Sequence, residues 1–208
     1  MKKLLFISYQ NEKYTHLQSI EVALEGGCKD VQLRVKMPVT EEQLFHLALE
    51  SKRLCDMAGA RLFIDDNVLL CKQIHAYGVH LGKNDMPPTQ ARVYLGQDFL
   101  IGGTANTFED IQNLHAAGVD YIGAGPFRFT ATKQNLSSLL GLEGYRKIVE
   151  NCRARKIDIN IYAIGGITVK DIPSLLQAGI YGIAMSSAIL QAPHPVEYVK
   201  KVIKILQN

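Results

Sequence analysis

Val31-Gln32-Leu33-Arg34-Val35-Lys36, followed by Thr40-Glu41-Glu42 and a helical pattern that runs to Ala58, is one strand-then-helix unit. The first part is a short apolar run. Thr40 supplies the hydroxyl that caps a helix start, and the two glutamates place negative charge on its first turn. The unit then repeats. Candidate strands lie at Leu4 to Ser8, Val31 to Val35, Arg61 to Asp65, Gly78 to Leu81, Phe99 to Gly103, Tyr121 to Gly125, Asn160 to Ile164 and Gly182 to Ser186. Helical patterns separate them, among them Thr107 to Ala117, Leu142 to Cys152, Val169 to Ala178 and Val196 to Leu206, with shorter ones at Asn67 to Ala76 and Thr89 to Leu95. Thr107 caps the fifth helix and Thr168 is expected to open the seventh, while Gly59, Gly118 and Gly179 end helices.

Strict β-α alternation with near-continuous apolar strands predicts a parallel sheet covered on both faces. Eight such units in 208 residues fit an α/β protein made of one compact (β/α)8 TIM barrel. A doubly wound open sheet is the rival, although it usually has fewer strands at this length. No linker or low-complexity tract divides the chain, so residues 1–208 read as a single domain.

Composition narrows the function classes. A net charge of +3 with scattered Lys and Arg argues against a nucleic-acid surface. Cys28, Cys55, Cys71 and Cys152 lie far apart with no C-x-x-C pair, which suits free thiols in a reducing cytosol. No apolar run reaches membrane-spanning length, and Met1 to Ile7 reads as a first strand rather than a leader. The expected setting is cytoplasmic, with no nucleic-acid or membrane partner and a homo-oligomer left open.

In a barrel the chemistry gathers where strands run into their following helices. Arg34 and Lys36 lie two apart at a strand end and face the same way, which suits a polyanion such as a pyrophosphate as well as a solvated strand end. Strand three ends in Asp65-Asp66 and strand four runs into His80-Leu81-Gly82-Lys83-Asn84-Asp85. Neighbouring strands are about 5 Å apart, so Asp66 and Asp85 are placed to share Mg²⁺ with phosphate oxygens. Taken singly, Asp66 reads as a helix cap, Asp85 as a turn residue, and His80 as a hydrogen-bonded core histidine. After strand six, Gly123-Ala124-Gly125-Pro126-Phe127 leads to Thr130-Ala131-Thr132-Lys133, two hydroxyls and an ammonium suited to phosphate. The stretch from there to Leu140 reads as an irregular loop of the kind that covers barrel tops. Gly165-Gly166 after strand seven and Ser186-Ser187 after strand eight match the backbone phosphate site of many barrels. Two anion sites, one cationic and one built of backbone, suit two phosphorylated substrates or a bisphosphate.

These motifs together, Gln32-Leu33-Arg34-x-Lys36, Val79-His80-Leu81-Gly82 with Asp85, Asp120-Tyr121-Ile122-Gly123-x-Gly125-Pro126 running into Thr130-x-Thr132-Lys133, and Ala163-Ile164-Gly165-Gly166-Ile167, resemble thiamine phosphate synthase in order and spacing over nearly the whole chain. The resemblance implies a (β/α)8 transferase of thiamine biosynthesis. It would join hydroxymethylpyrimidine diphosphate to a thiazole phosphate carboxylate and release thiamine phosphate, CO2 and pyrophosphate. It implies that Gln32, Arg34, Lys36 and Lys133 contact the pyrimidine diphosphate and that Asp66 and Asp85 hold Mg²⁺. Thr104 would stand near the pyrimidine, and Thr130, Thr132, Gly166, Ser186 and Ser187 would bind the thiazole phosphate. The implied chemistry is dissociative: pyrophosphate leaves a pyrimidine methylene cation that the thiazole nitrogen attacks. Cations and metal then do the work, with Arg34, Lys36 and Lys133 as the groups closest to catalysis and no protein nucleophile.

The chain departs from that pattern at four places. Asp65 replaces the usual asparagine of the pyrimidine site, Val35 the usual glutamate, Thr104 the usual serine, and Asp171 the usual asparagine after the Gly-Gly pair. Thr104 keeps the hydroxyl and Val35 is expected to point away. Two rivals stand beside this reading: a thiazole tautomerase of the same superfamily, which relies on a histidine where this chain has Asn106, and a non-catalytic thiazole- or thiamine-phosphate binding module.

Overall fold

A computed structural model describes residues 3–129 and 139–207. Eight parallel strands, β1 (Leu4–Ile7), β2 (Asp30–Leu33), β3 (Arg61–Asp65), β4 (Gly78–Leu81), β5 (Leu100–Ala105), β6 (Tyr121–Ala124), β7 (Asn160–Ile164) and β8 (Gly182–Met185), form a barrel in chain order. β8 pairs with β1, so the sheet is closed and the open doubly wound alternative is excluded. Helices α1 (His16–Glu25), α2 (Glu41–Met57), α3 (Val68–Gln73), α4 (Pro88–Leu95), α5 (Phe108–Ala116), α6 (Gly141–Ala154), α7 (Ile172–Gln177), α8 (Ser187–Leu190) and α9 (Pro195–Gln207) lie between or after the strands. Among the described residues, no helix is long and apolar enough to cross a membrane.

Local signals explain most boundaries. Thr40 and Thr107 each accept from the residue three along, which returns its side chain to the threonine N–H, and Thr15 opens α1 in the same reciprocal way. Thr168 does not open α7, contrary to the expectation. That helix starts after Asp171, because Thr168 gives its N–H and hydroxyl to Asp171 Oδ2 and closes a turn in front of it. The four cysteines are free and buried.

Strand parity organises the interior. Val31 and Leu33 face the layer between strands and helices, where Val35 also packs, so Val35 does point away from the barrel axis. Asp30, Gln32 and Arg34 share the opposite parity. The barrel floor is closed by a bidentate pair of Arg61 with the fully buried Asp30, at 2.6 and 2.7 Å. Above it lies an inner cluster of Leu5, Ile7, Phe63, Tyr121, Tyr162 and Ala184. The top layer is polar, and there Gln32, Asp65, His80 and Thr104 converge.

Candidate active site

At one side of the barrel mouth, Asp65 collects Arg34 and Lys36, two of the cations expected from sequence. Gln32 Nε2 donates to its Oδ1 at 2.6 Å, while Arg34 Nε and Lys36 Nζ lie 3.5 and 2.9 Å from Oδ2. That second oxygen is buried and lacks a hydrogen bond of good angle, so its contacts are ionic. Burial, with Asp66 alongside, pushes the Asp65 carboxyl up to about 6 against the pull of Lys36 and Arg34. Burial also opposes the charge on Lys36, but Asp65 and Asp66 outweigh it and hold the ammonium above its ordinary range.

Lys36 also pairs with Asp66. Asp66 has φ 63, a left-handed conformation that aspartate tolerates better than most residues, and its N–H donates to His80 O at 2.8 Å. The cap of α3 is therefore Asn67, whose side chain accepts from Leu70, and Asp66 is left to turn toward the next strand. Its carboxyl reaches that of Asp85, as the strand spacing predicted. Burial resists ionisation of both. A hydrogen bond donated by protonated Asp85, with the Lys36 ammonium, holds Asp66 below the usual carboxylate range, while Asp85 is raised by its burial and by Asp66. Asp85 Oδ2 also accepts the Gly82 N–H at 2.6 Å, which fixes the turn after β4.

The cavity at the barrel mouth runs from Arg34 past His80 and Thr104 to Gly165, Gly166, Ser186 and Ser187. One continuous space thus runs from Arg34 to the loops after β7 and β8. A neighbouring cavity bordered by Asp85 and Met86 meets it at Thr104. His80 is hydrogen-bonded as expected, with Nε2 3.0 Å from Thr104 Oγ1 and Nδ1 3.3 Å from the Tyr121 hydroxyl oxygen, yet it also lines the cavity. Gly123 makes room for it, since a Cβ there would sit 3.1 Å from the ring.

Opposite the cations, Gly165 and Gly166 take φ 94 and 66, values that disfavour other residues. Ser186 precedes α8 and Ser187 begins it, an element the sequence pattern did not reveal. Thr130, Thr132 and Lys133 lie outside the described residues. Sequence reasoning also missed Arg128, whose guanidinium binds Asp171 with both terminal nitrogens at 2.7 and 2.8 Å. A charge in the loop after β6 and another after β7 was the available signal, but 43 residues separate the two and only barrel closure joins them.

Residues 4–189 match the family model described as thiamine monophosphate synthase. The thiamine-phosphate synthase of Bacteroides fragilis is 53% identical over 205 residues, covering 99% of this chain and all of that one. That of Bacteroides thetaiotaomicron is 50% identical, covering 99% and 98%. The solved thiamine phosphate pyrophosphorylase from Pyrococcus furiosus superposes with a TM-score of 0.86 at 31% identity, covering 99% of this chain and 95% of the other.

Proposed function

Because the chain belongs to the thiamine monophosphate synthase family, as an enzyme of that kind, we propose that it joins hydroxymethylpyrimidine diphosphate to a thiazole phosphate carboxylate and releases pyrophosphate and CO2. The observation that carries this reading is the single cavity with a cationic end at Arg34 and a backbone end at Gly165-Gly166 and Ser186-Ser187. It offers one place for a departing diphosphate and another for a monophosphate, with the reacting rings between them.

The proposed roles are those that the family resemblance implies for these residues. Arg34 and Lys36, joined by Lys133, offset the charge that builds on the leaving pyrophosphate, which is where electrostatic stabilisation counts most. Gln32, Asp65 and Thr104 face the pyrimidine. Gly166, Ser186 and Ser187, with Thr130 and Thr132, hold the thiazole phosphate. No side chain acts as a nucleophile, because departure of pyrophosphate leaves a cation that the thiazole nitrogen itself captures.

Asp66 and Asp85 suit Mg²⁺. They are two carboxylates in mutual reach at adjacent strand ends, and a hard cation that keeps waters and takes phosphate oxygens needs only one or two such ligands. When bound, the ion would neutralise charge on the diphosphate. Asn106, which stands where the tautomerase branch carries a histidine, gives its amide to Gly125 O at 2.5 Å and has no proton to exchange near neutral pH. This disfavours the isomerase reading.

The test is incubation of the purified protein with both substrates and Mg²⁺, with and without a chelator. Thiamine phosphate and pyrophosphate are expected only with the metal. Binding of both substrates without turnover would make the protein a binding module instead.

A further inference from the structure

Arg128 holds two consecutive carbonyls of the loop after β7. Its backbone N–H donates to Gly165 O at 3.1 Å and its Nη1 to Gly166 O at 2.8 Å. The guanidinium is itself fixed. Nη1 and Nη2 take the two oxygens of Asp171 at 2.7 and 2.8 Å, and the Phe127 ring centre lies 4.5 Å away. Asp171 Oδ2 also accepts the Thr168 N–H and hydroxyl, each at 2.8 Å. A carboxylate can take this fork with both oxygens and an amide cannot.

In a planar trans peptide the C=O and the N–H of one unit point in opposite directions. The Gly165 carbonyl shares its plane with the Gly166 N–H, and the Gly166 carbonyl shares its plane with the Ile167 N–H. Holding both carbonyls on the Arg128 side therefore turns both N–H groups to the other. Gly165, Gly166 and Ile167 line the cavity, whereas Arg128 does not. Neither N–H donates to any backbone group among the described residues. Successive free N–H groups of this sort form an anion-binding concavity.

We propose that Arg128, held by Asp171, is a positioning residue that presets the Gly166 and Ile167 amides for the phosphate of the thiazole substrate. The proposal rests on the substrate placement given under Proposed function. A purely structural role is the alternative. The pair is partly exposed, with side chains 45% and 15% accessible, and such pairs contribute little to stability, so a loosened loop rather than a lost fold is the expected result of breaking it.

The test compares Arg128→Ala, Arg128→Lys and Asp171→Asn with the parent enzyme. Lysine keeps charge and stem but cannot span Asp171 and Gly166 O together, so it serves if the alanine variant fails to fold. The KM for thiazole phosphate is expected to rise about tenfold in both Arg128 variants and less in Asp171→Asn, with the KM for pyrimidine diphosphate changing less than about twofold. Titration of inorganic phosphate, followed at the Gly166 and Ile167 amides by ¹⁵N NMR, gives a readout free of turnover. Shifts are expected in the parent and not in Arg128→Ala. If the parent makes no thiamine phosphate while the phosphate shifts behave this way, the substrate reading fails and the positioning role stands. If the parent is active but the variants keep its KM values, lose both equally, or the parent amides ignore phosphate, the positioning role is overturned.

Discussion

Gln32 donates its Nε2 to Asp65 Oδ1 at 2.6 Å, so the acid at the end of β3 decides which end of the neighbouring amide remains for other partners. An oxygen acceptor, Gln32 Oε1, is then what that side chain offers a substrate. Asparagine at position 65 would sustain the same contact through its own carbonyl, which makes the exchange a mild one geometrically.

Electrostatically it is not mild. The Asp65 carboxyl is raised from 3.8 to about 6 by burial and by Asp66, so the fold favours its protonated form. That contribution is fully present below about 3.8 and is lost as pH rises through about 6. Asp65→Asn is therefore expected to be more stable than the parent at pH 7.5, by at most about 3 kcal/mol, with the gap closing toward pH 4.5. Its activity should be retained with a flatter decline at high pH. Urea unfolding and pH-rate profiles of the two proteins check both parts, and an inactive asparagine variant at every pH would give Asp65 a role of its own.

Asp85→Ala is expected to reduce turnover by about a hundredfold or more while the barrel stays folded, because the residue sits in a turn outside the core. The lost hydrogen bond to the Gly82 N–H should lower stability by only about 1 kcal/mol. Turnover measured against Mg²⁺ concentration is the check. Undiminished activity of this variant in a chelator would remove the metal from the scheme.

The two anion ends should separate kinetically. Arg34→Ala is expected to raise the KM for pyrimidine diphosphate by about 10- to 100-fold, and Ser187→Ala that for thiazole phosphate by about 3- to 10-fold. Each should leave the other substrate's KM nearly unchanged. Gly166→Val is a poor probe of the phosphate end, since a Cβ there would lie 2.4 Å from Arg128 Cγ and 2.8 Å from Phe129 O at a φ of 66. Steady-state titration of each substrate against the two variants decides the matter.

His16 sets a second pH dependence, of opposite sign to that of Asp65. Its Nδ1 is 2.9 Å from Ser8 Oγ, and burial followed by the Arg34 charge lowers its pKa below 6.5. The folded state thus favours neutral imidazole. Stability is fully present above 6.5 and is lost as pH falls through the lowered value. The parent is expected to lose more stability than His16→Asn between pH 7.5 and 5.5. Thermal midpoints of both proteins at the two pH values would show it.

The sequence by itself determined the barrel and much of its mouth. Alternation of apolar strands with capped helices is a local signal, and the strand parity that turns Val31 and Leu33 outward also turns Gln32 and Arg34 inward, whatever the rest of the chain does. Carboxylates at consecutive strand ends were legible for the same reason, because neighbours in sequence order are neighbours in the sheet. Tertiary structure decided the remainder. The left-handed backbone at Asp66 gives the cap of α3 to Asn67, and the Asp171 turn denies Thr168 the start of α7. His80 enters the cavity only because Gly123, 43 positions on, leaves space opposite its ring. Arg128 meets Asp171 only because parallel packing of β6 on β7 brings the two following loops side by side. Contacts of that kind depend on distances between chain segments that no local periodicity encodes, so they exist only once the barrel has closed.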